Sequence, residues 1–256
     1  VRRTHLAPLL TSLAFILVLS VPAGAQTLHV FAAASLTDAF KNLGHAFEAH
    51  HPGVTVEFNF AGSQVLRTQI EQGAKADVFA SADRAHVDAL RAKELIEPPR
   101  VFTRNRLVVV TPALASHVGS LMDLARPGRK IVVAGSTVPA GRYTTQVLRN
   151  MTGSGLYGDD FQTRVQANVV SQESDVRAVL GKVAMGEADA GFVYQTDVEE
   201  GKVHVLTIPE RLNVIAEYPI SVVTGTQVAY LAKQFCTFVE GAEGQAILKK
   251  HGFMSR

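Results

Sequence analysis

The sequence predicts an α/β protein in two lobes, each a mostly parallel sheet flanked by helices, with two strands crossing between them. Three observations carry this. Short apolar runs alternate with stretches whose apolar residues recur at helical spacing. Small or hydroxyl residues sit where a run gives way to a helix. Two apolar strands, 107–111 and 220–224, are placed to cross from one half of the chain to the other.

Taken in order, 28–33 reads as a buried strand, and Leu36, Ala39, Phe40, Leu43 and Phe47 then follow at helical spacing. Ser35 stands at the junction as an N-cap, with Asp38 completing a capping-box pattern. Strand 54–60, helix 64–72, strand 77–80 and a helix around 84–93 come next, and Pro98-Pro99 marks a break. After strand 107–111, ended by Pro112, a second series begins: strand 131–134, helix 142–151, strand 168–170, helix 176–186 and strand 190–194. Strands 203–208 and 220–224 follow, the latter preceded by Tyr218-Pro219, and helices 227–240 and 243–250 close the chain. The division this suggests is residues 26–105 plus 220–256 as lobe 1 and 106–219 as lobe 2.

Residues 1–25 read as a signal peptide: Arg2 and Arg3, an apolar run over 6–21, and Ala23-Gly24-Ala25 as a small-x-small cleavage site. The expected address is therefore the periplasm. Without that segment Lys+Arg equals Asp+Glu at 23. A neutral chain lacks the concentrated positive field of a nucleic-acid binder. The single cysteine, Cys236, falls in an apolar helical pattern and reads as a buried small residue.

Four strand-to-helix junctions stand out: Ala34-Ser35-Leu36, Ala61-Gly62-Ser63, Val138-Pro139-Ala140-Gly141 and Ser174-Asp175-Val176. A helix start offers N–H groups without intrahelical partners and the positive end of the peptide dipole. Two junctions lie in each expected lobe, so a cleft between lobes would turn four sets of donors on one anion, with no lysine or arginine needed. Taken singly, each junction is also an ordinary turn or cap.

Other patterns carry less. Gly153 to Gly158 matches G-x-G-x-x-G but follows a helix and precedes Asp159-Asp160, so it reads as a loop. His45, His50 and His51 do not share one helix face, so no metal held by direct side-chain coordination is expected. No G-x-S-x-G or S-x-x-K surrounds any serine, and no catalytic residue is assigned.

The stretches Val30 to Thr37, Ala61-Gly62-Ser63, Ala76 to Asp83, Val138 to Tyr143, Asp175-Val176-Arg177, Gly191 to Asp197, Tyr218-Pro219-Ile220 and Gly252-Phe253 resemble, in order, the periplasmic molybdate-binding proteins of ABC importers. The resemblance implies the type II periplasmic binding protein fold and a non-enzymatic carrier of molybdate, with tungstate as a further ligand. By motif position it implies ligand contacts from Ser35, Ser63, Ala140, Val176 and Tyr194. It also implies an inner-membrane ABC permease as partner, no cofactor, and action as a monomer. The alternative is the same fold selecting sulfate or another tetrahedral oxyanion; a secreted hydrolase using Ser35 or Ser63 is the rival of a different class. Gly62 and Gln64 depart from the family, in which hydroxyl residues are frequent at both places.

Overall fold

The computed structural model describes residues 26–114 and 116–256; the segment read as a signal peptide lies outside them. Its strands are β1 (Gln26–Ala33), β2 (Val54–Ala61), β3 (Val78–Ala80), β4 (Arg100–Pro112), β5 (Ile131–Ala134), β6 (Val169–Glu173), β7 (Ala190–Tyr194), β8 (Val203–Thr207) and β9 (Ile215–Val222). Its helices are α1 (Thr37–His50), α2 (Ser63–Glu71), α3 (Arg84–Ala92), α4 (Pro139–Gly153), α5 (Phe161–Ala167), α6 (Val176–Ala184), α7 (Ala229–Glu240) and α8 (Ala242–Lys250).

The strands form one mixed sheet in the order β2-β1-β3-β9-β4-β7-β5-β6, with β8 beside β4. β1 pairs in parallel with β2 and β3, and β5 pairs in parallel with β6 and β7. Antiparallel β9 and β4 join these two flanks. The first half of β4, Arg100 to Arg106, pairs with β9, whereas Leu107 to Pro112 pairs with β7 and β8. β4 is thus much longer than the apolar run 107–111, because most of its first half, including Thr103 to Arg106, is polar and held in the sheet by pairing with β9. β9 runs through Tyr218-Pro219 rather than starting after it. Pro219 has no N–H to give, and it sits opposite the register shift between Val101 and Thr103, where a strand tolerates it.

Burial follows the residues the periodicity picked out. α1 buries Ala39, Phe40, Leu43 and Phe47, and Phe40 and Phe47 meet Phe235 of α7 edge-on at 6.2 and 5.2 Å. On the other face, Phe31 and Phe79 of the sheet pack with Leu66 and Ile70 of α2 and Val87 and Leu90 of α3. Cys236 is buried, and that burial pushes its thiol up to about 12. Among the described residues, no helix is long and apolar enough to cross a membrane.

The start of α4 is pressed against the end of β5. A Cβ on Gly141 would collide with the carbonyl oxygens of Ala134 and Gly135 and lie 2.8 Å from the Gly135 carbonyl carbon. Backbone cannot step aside as a flexible side chain can, so Gly141→Ala is predicted to destabilise the protein by about 2–3 kcal/mol. Urea unfolding measures this; a loss within about 0.5 kcal/mol, the range of an ordinary surface change, would show that α4 is free to move.

Candidate oxyanion site

All five residues singled out in the sequence line one cavity. Ser35 follows β1, Ser63 opens α2 after β2, Ala140 lies in the first turn of α4 after β5, Val176 opens α6 after β6, and Tyr194 ends β7. Ala82, just past β3, completes the ring. The carboxyl ends of six strands, three from each flank, therefore converge where an open α/β sheet collects its ligand. The cavity measures about 10 Å³, against roughly 300–1,000 Å³ for sites that take drug-sized organic molecules. That is about the room one water molecule needs, so no drug-sized organic molecule fits.

Its chemistry is that of neutral donors. The N–H groups of Ser63, Ala140 and Val176 fall in first helical turns, where no intrahelical carbonyl is within reach. Asp175 lines the wall, but its carboxylate is turned to cap α6 through the Ala178 N–H at 3.0 Å, leaving the Val176 N–H free. Ser63 is buried, and its Oγ accepts from the Ala82 N–H at 3.1 Å. With the acceptor side occupied, its own proton is left for the cavity.

Ser35 reaches the same state by a longer route. Asn105 Nδ2, which can only donate, points at the Tyr218 hydroxyl at 3.5 Å and at Thr196 Oγ1 at 2.7 Å. Tyr218 Oη lies 3.0 Å from Ser35 Oγ, and either hydroxyl can donate; we assign the proton to Tyr218, because Asn105 already faces it as a donor, which leaves the serine proton for the cavity. The expected capping box is not formed. Residues 34–36 make a short 3₁₀ turn, and no side-chain bond caps α1. Ser35 is drawn to Tyr218 instead, and Asp38 to an arginine of the opposite flank. Tyr194 Oη is buried with no hydrogen-bond partner. Burial pushes the Tyr194 and Tyr218 hydroxyls well above the usual tyrosine range, so both remain neutral donors.

The cations stand one layer back, each matched. Arg177, next to Val176, donates to Asp38 of α1 at 2.5 Å and faces Asp197 at 3.3 Å. Asp197 in turn accepts the Tyr194 N–H at 3.1 Å. Its complete burial pushes its carboxyl up to about 7 against the pull of Arg177. Arg142 of α4 pairs with Asp83, and His86 Nε2 donates to the Thr137 carbonyl at 3.0 Å. No lysine or arginine lines the cavity. A wider groove of about 750 Å³ opens beside Arg84, Arg104 and Arg142, but Glu217 and Asp83 already face these arginines.

Sequence reasoning did not assign Tyr218, Asn105, Arg177 or Asp197 a role. Tyr218, Arg177 and Asp197 lie inside resembling stretches, whereas nothing local marks Asn105. Among the described residues no group of three or more His, Cys, Asp or Glu could hold a metal ion. His50 is bound to Glu243, and His51 to the Phe47 carbonyl.

A mixed sheet whose two flanks face each other across a small cavity is the arrangement of a solute-binding protein. Residues 28–254 match the family described as bacterial extracellular solute-binding protein. The molybdate-binding protein ModA of Mycobacterium tuberculosis is 42% identical over 234 residues, covering 90% of this chain and 85% of the relative. The periplasmic molybdate-binding protein of Azotobacter vinelandii has a similar structure (TM-score 0.78, 24% identity, 90% of this chain and 99% of that one). So does the sulfate-binding protein SubI of Mycobacterium tuberculosis (TM-score 0.79, 16% identity, 90% and 87%). The chain belongs to the bacterial extracellular solute-binding proteins. It has the type II periplasmic binding fold, works outside the cytoplasm and is not an enzyme.

The hydrogen-bond relay makes its own prediction. Tyr218→Phe leaves Ser35 Oγ free to turn its proton away, weakening oxyanion binding by about 0.5–1.5 kcal/mol. Isothermal titration calorimetry measures this; affinity unchanged with the fold intact would show that Tyr218 does not orient Ser35.

Proposed function

We propose that the protein captures molybdate, and tungstate with it, between the two flanks of its sheet and delivers it to an inner-membrane ABC permease. Ser35, Ser63 and Tyr194 give hydroxyl hydrogen bonds, and Ser35, Ser63, Ala140 and Val176 give backbone N–H groups. The observation that carries this reading is the convergence of uncharged donors, from both flanks, on one small cavity. The 42% identical mycobacterial relative, named for molybdate, supports that choice of anion.

The chemistry accounts for selectivity. Every donor in a dry cavity needs an acceptor oxygen, and one left unmatched costs about 1–3 kcal/mol. A fully ionised tetrahedral oxyanion offers acceptors on all sides, whereas a protonated one presents a hydrogen to a wall of hydrogens. Sulfate has the same charge and shape as molybdate but is smaller, and SubI carries it on the same fold. Size is therefore the property that separates the two.

In this reading, lobe 1 is 26–105 plus 220–256 and lobe 2 is 106–219. The anion touches both, so binding shifts the population toward the closed form. The chain acts as a monomer, and residues 1–25 are a signal peptide cleaved after Ala25 on the way to the periplasm.

Calorimetric titration of the mature chain with molybdate, tungstate and sulfate tests the assignment. Tight binding of the two metal oxyanions and weak binding of sulfate is the expected result. Strong heat from sulfate with none from molybdate would reassign the ligand. Ser35→Ala and Ser63→Ala are each predicted to weaken molybdate binding by about 1–3 kcal/mol, roughly five- to 150-fold in Kd. Wild-type affinity in both would take these hydroxyls out of the site.

A further inference from the structure

Gly62 has φ −59° and ψ 139°, a conformation any residue adopts, so its backbone does not demand glycine. Space does. A Cβ at this position would lie 2.5 Å from the Ser174 carbonyl oxygen and 2.5 Å from both Nε2 and Oε1 of Gln64. Ser174 belongs to the loop between β6 and α6, on the opposite flank. The room left by the missing side chain is thus filled by the other half of the molecule, not by Gly62's own surroundings alone.

Gln64 occupies the same gap. Its Nε2 donates to the Ser174 carbonyl at 2.7 Å, and only the nitrogen end of the amide can face a carbonyl. The neighbours of both partners, Ser63 and Asp175, line the cavity, so the contact closes over the wall where two sets of donors meet. The cross-flank ties from Arg177 and Arg142 are ion pairs, weakened by salt, whereas His86 reaches the Thr137 carbonyl at 3.0 Å, away from the cavity wall. The Gln64 contact is neutral.

Building on the oxyanion-capture reading, we infer that Gly62 and Gln64 set the closure of the binding cleft. Gly62 determines how far the flanks can approach, and the Gln64 amide fastens them on the Ser174 carbonyl. Gln64 is a positioning residue. It holds the closed form and thereby slows departure of the anion.

The test uses the mature chain spin-labelled at Met185→Cys and Tyr230→Cys, exposed positions on opposite flanks (69% and 78%). The native Cys236 is buried and its thiol is pushed up to about 12, so it does not compete for label. Distances are measured without ligand, with molybdate and with sulfate, and release rates by stopped flow. The wild type shortens on binding. Gly62→Ala stays at the ligand-free distance, and Gln64→Ala closes but releases anion about three- to tenfold faster at unchanged association rate, in low and high salt alike. Gly62→Ala closing as far as the wild type, or Gln64→Ala releasing at the wild-type rate, overturns the inference. If Gly62→Ala fails to fold, the Gln64→Ala release rate decides alone. Wild-type closure on sulfate but not molybdate overturns the ligand assignment instead and leaves closure to be judged on sulfate.

Discussion

A buried anion held without a positive side chain requires donors whose protons are aimed before it arrives. That requirement organises this molecule. Ala82 fills the acceptor side of Ser63, the Tyr218 hydroxyl lies against Ser35 Oγ, and three helix starts present N–H groups their own helices cannot use. Fixed dipoles of this kind need no reorganisation at binding and act strongly in a site from which water is excluded. They also leave the cavity wall richer in donors than in acceptors, which favours the fully ionised oxyanion over a protonated one.

Formal charge is used elsewhere, on the seam between the flanks. Arg177 reaches Asp38 across the cleft while supporting Asp197, which holds the backbone of Tyr194. One guanidinium therefore links closure to the placement of a cavity donor. Arg177 and Arg142, the cations nearest the cavity, each have a carboxylate beside them, which keeps their desolvation tolerable. The field at the cavity is then set by peptide and hydroxyl dipoles, and net charge contributes little.

Much of this was legible in the sequence because strand and helix periods are local properties. The alternation of apolar runs located β1, β2, β3, β5 and β7, and the small residues after them marked the junctions that line the cavity. What escaped was non-local. Ser35 was read as a cap because a serine before a helix with Asp38 three residues on fits that pattern. Its actual partner, Tyr218, lies 183 residues away. The first half of β4 and the passage of β9 through Pro219 depend on their mutual pairing and on one bulge. Gly62 and Gln64 appeared only as departures from a family pattern, since their shared reason, the Ser174 carbonyl, lies on the other flank.

The most direct test of neutral-donor capture is a crystal structure of the mature protein grown with molybdate. The account predicts the anion in the cavity between Ser35 and Tyr194, its oxygens bonded to hydroxyls and to the N–H groups of Ser63, Ala140 and Val176, with no lysine or arginine in contact. An anion clamped by basic side chains, or seated in the groove beside Arg104 and Arg142, would contradict it.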